Sequence, residues 1–133
     1  EYAARGGLAQ KRFPWGDDLE PEGKHRMNVW QGVFPNVNTE ADGHFGPAPA
    51  KSYRANGYGL YNMTGNVWEW CLNTYAHPRA PVVLCIDESN TWRVMRGGSW
   101  NYEPGSWCVS YRRGTHAISP YDSLGFRLAR NLP

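Results

Sequence analysis

Oxygen-rich turns are the first candidates for chemistry in this 133-residue chain. In "GLYNMTGNVWEW", Asn62 offers an amide oxygen in a turn tightened by Gly65, and Glu69 follows on a stretch that alternates like a strand. The alternation puts Trp68 and Trp70 on one face and Val67, Glu69 and Cys71 on the other. A carboxylate set between two indoles needs a partner, because an uncompensated charge against apolar surface is costly. Calcium would suit it, since that ion takes six to eight oxygens and mixes carboxylates with amides and carbonyls. "MNVWQG" and "EADGHFG" make a second oxygen-rich pair of loops, with Asp42 as the carboxylate. Spacing alone favours a plainer reading, in which Asn62 caps a turn and Asp42 with Gly43 forms another.

Softer ligands are scarce. Cys71, Cys85 and Cys108 are too few and too irregularly spaced for a disulfide framework. There is no CxxC, and the four histidines show no metal-type pairing, so zinc is not expected. A Cys71–Cys85 bridge is geometrically conceivable, but two isolated small hydrophobes is the simpler reading. Cys108 lies in "RGGSWNYEPGSWCVSYRRG", a segment dense in rings and small polar residues.

The remaining composition says what must position these groups. The length fits one domain with a single core, residues 1–133. Seven Trp, eight Tyr and four Phe stand beside 15 Gly and 10 Pro, which argues against a helix bundle and for a loop-rich fold filled by rings. No stretch reaches the roughly 20 apolar residues that span a bilayer, so no membrane partner is expected. A net charge of +2 with one short basic run, "YRRG", gives no stripe for nucleic acid.

Along the chain, "EYAARGG" reads as the tail of a helix stopped by Gly6 and Gly7. Residues 8–52 show little periodicity, yet they hold Phe13, Trp15, Trp30, Phe34 and Phe45, so they should run as ordered loops. "NVWEWCL", "RVMRGGSW", "WCVSYRR" and "SLGFRLAR" are the strand candidates, expected to pair antiparallel. "AHPRAPVVLCIDESNT" reads as a crossover loop. The fold class is α+β, with few helices, a core led by Trp68 and Trp70, and long structured loops.

Taken in order, "ARGGL…FPWGD", "NVWQGVFPNVNTEADGHFG", "NGYGLYNMTGNVWEW", "RVMRGGSW" and "LGFRLA" resemble the formylglycine-generating enzyme, or sulfatase-modifying factor, family. The resemblance covers essentially the whole chain and implies a C-type-lectin-like fold, of which this would be the C-terminal part. It implies one calcium at Asn62, Gly65, Val67 and Glu69, the Gly and Val acting through their carbonyls. It implies a second at Asn28, Val29, Asp42 and His44, where only the backbone oxygen of His44 would serve. Missing upstream residues would leave apolar surface open, so self-association is expected.

Active relatives oxidise a substrate cysteine to formylglycine, using oxygen and a copper ion held by two cysteines. Their pattern resembles GGS, an aromatic residue, any residue, Cys, four more residues, Cys. Here "GGSW" is present, Tyr102 stands at the first cysteine, and Cys108 follows after five residues. A phenol is no substitute for a soft thiolate on Cu(I). Cys108 is therefore the one catalytic candidate, and copper is implied only if the oxidase chemistry survives. The other reading is a non-catalytic module that binds a protein or peptide. Residues 101–123 have paratope-like composition, with Tyr102, Trp107, Tyr111 and Arg112 as contact residues, and they resemble the display region of variable proteins from diversity-generating retroelements.

Overall fold

Regular structure is short and sparse in the computed structural model, which describes residues 1–75, 92–118 and 120–129. One turn of helix, α1 (Tyr2–Arg5), stops at Gly6, whose left-handed backbone (φ 58°) ends the turn as the sequence predicts. A 3₁₀ turn follows at Pro21–Gly23. Strands β1 (Gly32–Val33) and β2 (Val37–Asn38) form a small hairpin. The main sheet contains β3 (Trp68–Thr74), β4 (Trp92–Arg96), β5 (Arg113–His116) and β6 (Leu124–Gly125), in the order β5-β4-β3-β6.

The β3–β4 and β4–β5 pairs are antiparallel, with Glu69 opposite Arg96 and Val94 opposite Gly114. The expectation of antiparallel pairing fails at β6, which lies parallel to β3 with Trp68 opposite Leu124. A parallel neighbour needs a long connection, and β6 meets β3 only after the chain has built β4, β5 and their loops. Trp68 N–H donates to Ser123 O at 2.7 Å, closing that edge.

The candidate strand "WCVSYRR" also needs correction: the strand begins at Arg113. Its earlier residues form a turn, in which Tyr111 N–H donates to Cys108 O (3.0 Å) and Val109 N–H reaches Arg12 O (3.0 Å). Those two N–H groups are committed to a turn and a distant loop instead of a ladder. The crossover reading of 76–91 lies outside the described residues.

The core is not centred on Trp68 and Trp70. Its main cluster is Phe13, Met27, Val29 and Trp107, with Trp15 and Trp30 packed against it. Five of those six residues come from the loop region 8–52, which explains why so aromatic a stretch stays ordered without regular structure. Trp68 is buried, with Tyr102 edge-on (5.4 Å) and Tyr111 tilted against it (5.9 Å). Trp70 is only half-buried and lines an open hollow of about 860 Å³ with Leu72, Val94 and Phe126.

Candidate functional site

The loops carrying Asn28 and Asp42 close on each other. Asp42 accepts Val29 N–H at Oδ2 (3.0 Å) and His44 N–H at Oδ1 (3.1 Å). Asn28 is 1% exposed and donates from Nδ2 to Gly46 O (2.8 Å) and Asn66 Oδ1 (3.0 Å). Its own Oδ1 is buried with no protein donor. A buried acceptor left bare costs about 1–3 kcal/mol, so a cation or water is wanted there. Val29 O accepts the Gln31 amide at 3.2 Å, and the His44 ring packs edge-on to Tyr53 at 6.2 Å. Tyr53 donates to Asp42 O at 3.4 Å; burial and then the charge of Asp42 push its phenol far above the ordinary range. All four residues implied for this calcium site are thus brought together, and an orphaned amide oxygen fits the ion.

The second set looks different. Glu69 has a partner that the sequence reading missed, Arg127. Arg127 Nε donates to Oε2 at 2.5 Å and Nη2 donates to Oε1. Nη2 also reaches Tyr61 O (3.1 Å) and Asn62 O (3.2 Å), and the bond to Glu69 raises the guanidinium pKa. Both carboxylate oxygens are therefore engaged by a cation already. A calcium at Asn62, Gly65, Val67 and Glu69 would share Glu69 with Arg127 or displace it. Among the described residues no three His, Cys, Asp or Glu side chains converge, so any ion would depend on amide and backbone oxygens beside a single carboxylate.

The two sets are joined by Gly65 and Asn66. Gly65 adopts φ 72°, and a Cβ there would lie 2.7 Å from Asn28 O. Asn66 N–H donates to Asn28 O (2.8 Å), while its side chain accepts Ala48 N–H (2.7 Å) and donates to Ala48 O (3.2 Å). Nothing local in "GNVWEW" marks Asn66 as this hub; an Asn beside a turn glycine was the only signal.

The ring-rich segment after β4 is held from below by Arg96, another residue missed in sequence. Its Nη1 donates to Ser110 O (2.8 Å) and Tyr111 O (2.7 Å), and Nη2 pairs with Glu1 (2.9 Å). Tyr102 has the Arg113 guanidinium 4.8 Å above its ring, and Arg112 lies 5.6 Å from the centroid of Tyr75. Tyr111 is half-buried, and burial, followed by the charge of Glu103, raises its pKa. Trp107 is 5% exposed and belongs to the core, not to the displayed face. Cys108 is half-buried; its thiol lies 3.6 Å from Gly105 O and from Ser110 Oγ. Cys71 is unbridged on β3, and burial pushes its thiol pKa up. Cys85 lies outside the described residues. Oxygen neighbours around Cys108 and a phenol at Tyr102 do not match the two-thiolate set that Cu(I) prefers.

Residues 1–132 match the family model described as the sulfatase-modifying factor enzyme 1-like domain. The chain belongs to the sulfatase-modifying factor family. A formylglycine-generating enzyme of Streptomyces coelicolor is 47% identical across 98% of this chain and 44% of its own length. The Mus musculus formylglycine-generating enzyme is 42% identical across 97% of this chain and 36% of its own. A Mus musculus protein named inactive C-alpha-formylglycine-generating enzyme 2 is 39% identical across 97% and 40%. Among solved structures, PvdO from Pseudomonas aeruginosa aligns with a TM-score of 0.72 at 27% identity, over 94% of this chain and 47% of that one. Treponema denticola variable protein 1 gives 0.65 at 26% identity, over 94% and 42%. The chain spans less than half the length of each of these relatives. The C-type-lectin-like arrangement expected from the motifs is the fold observed.

Proposed function

We propose that this sulfatase-modifying-factor chain is a calcium-stabilised, non-catalytic module that binds a protein or peptide. The observation that carries the reading is the environment of Tyr102. Where active relatives would place the first copper cysteine, a phenol stacks edge-on against Trp68 beneath the Arg113 guanidinium. Its ring is oriented by that packing yet stays half-buried, and Cys108 faces oxygens. Tyr102, Tyr111 and Arg112 are all half-buried on one segment braced by Arg96, which suits stiff aromatic anchors for a partner. A relative named as inactive within this family supports the reading.

The second reading is a formylglycine-generating oxidase, or a degenerate relative that still docks sulfatase peptides. The 47% identity to a protein named formylglycine-generating enzyme favours it. Incubation with copper, oxygen and a cysteine-containing sulfatase peptide, read by mass spectrometry, separates the two. The binding reading expects no aldehyde. Aldehyde that needs copper and vanishes in Cys108→Ser would establish the oxidase instead.

A further inference from the structure

Apart from Asn62 at its inner end, a cleft on the face formed by the "FPWG" loop and residues 54–64 is used by neither reading. Its outer part, about 570 Å³, is lined by Trp15, Arg26, Arg54, Asn56 and Tyr61. An inner hollow of about 20 Å³, room for about one water, shares Trp15, Arg26 and Arg54 and ends at Thr64. Among the described residues, no aspartate or glutamate lines either part.

The two arginines are conspicuous beside others in the chain. Arg5 and Arg96 pair with Glu1, Arg127 pairs with Glu69, and Arg12, Arg112 and Arg113 lie over rings. Arg26 and Arg54 make no ion pair and no ring contact among the described residues. At the inner end, Thr64 is 1% exposed, and its hydroxyl has no hydrogen-bond partner. One water in the inner hollow can serve that hydroxyl, while two free guanidinium groups on the outer cleft call for an anionic guest. The aromatic walls suggest what else the guest carries. Trp15 stacks one face on Phe13 (5.3 Å, 9°) and donates its indole N–H to Asp18 O (2.8 Å), which fixes the ring. Lys51 lies 5.7 Å from the centroid of Tyr61, adding a third cation near the rim.

We propose that this cleft binds a phosphomonoester attached to a flat organic group. A phosphomonoester brings close to two negative charges at neutral pH and three acceptor oxygens. Two guanidinium groups match that charge and favour the fork geometry of phosphate oxygens. Trp15 and Tyr61 take the attached ring by stacking. A carboxylate, with one charge, would leave one arginine uncompensated.

The probes are phenyl phosphate, inorganic phosphate, phenyl sulfate and benzoate, titrated calorimetrically into the full chain. Phenyl phosphate should bind saturably and about tenfold or more tighter than each of the others, the scale of a charge-assisted hydrogen bond or a stacked ring. Arg54→Gln and Arg26→Gln should each weaken it by about tenfold, while Arg12→Gln leaves it unchanged. Arg54 is exposed, so its variant should melt like the parent and remain testable even if changes at half-buried Arg26 disturb folding. Absence of saturable binding, equal affinity in Arg54→Gln, or an equal or tighter fit of phenyl sulfate or benzoate each overturns the assignment. None of these outcomes bears on copper, calcium or the Tyr102 segment.

Discussion

Asn28 and Glu69 make opposite statements about calcium. Asn28 is buried with a free amide oxygen, next to a carboxylate already oriented by two backbone N–H groups. Glu69 is covered on both oxygens by Arg127. If calcium binds the native chain, stability must rise with its concentration, by about 2.7 kcal/mol at a hundredfold excess over Kd. Asp42→Asn should remove most of that rise, because it takes away the carboxylate that joins the Asn28 loops while keeping an acceptor for the backbone. Glu69→Ala should lower stability with calcium absent as well, since Arg127 then loses its counter-charge. Melting curves of metal-free protein, with and without calcium, check both. A parent curve that calcium does not move would remove the calcium reading.

At the scale of elements, the segment between β4 and β5 is a loop clamped at three points. Arg96 holds the carbonyls of Ser110 and Tyr111, Val109 N–H is bonded to Arg12 O, and Trp107 is sunk among Phe13, Met27 and Val29. Gly98 starts the loop at φ 75°, where a Cβ would lie 2.9 Å from both Ser106 O and Trp107 Cδ1. Trp107→Ala should therefore cost about 3–5 kcal/mol of stability, the range for deleting a buried large ring. Gly98→Ala should cost at least the 1–2 kcal/mol of a left-handed L-residue, roughly, plus the clash. Tyr111→Ala, at a half-buried position, should cost less stability and instead weaken partner binding. Chemical denaturation of the three variants orders them; a Trp107→Ala protein as stable as the parent would mean that the ring is not a core element.

For the whole molecule, the open side of the main sheet dominates. Leu128 is 90% exposed, Leu72 80% and Phe126 74%, grouped around the hollow that Trp70 lines. A net charge of only +2 gives little repulsion between copies. Such a face should bring two copies of this chain together, because contiguous apolar surface in water favours association. Sedimentation should show weight-average mass rising with concentration, and Leu72→Ser with Leu128→Ser should shift it toward the monomer. A chain that stays monomeric across the concentration range would mean that this face is tolerated in water.

Motif order and composition alone determined the family, the sparse secondary structure, the turn at Gly6, three of the four main strands and the oxygen-rich loops. Those features are local, set by backbone conformations, short alternation and turn residues within a few positions. Tertiary structure decided the partners. Arg127 meets Glu69 across 58 positions, Asn66 ties to Asn28 across 38, and β6 lies parallel to β3. Which amide oxygen is left bare, and whether Trp107 faces solvent or core, depends on loops converging from distant parts of the chain. Neither follows from residue type, because burial and hydrogen-bond satisfaction are properties of the assembled neighbourhood.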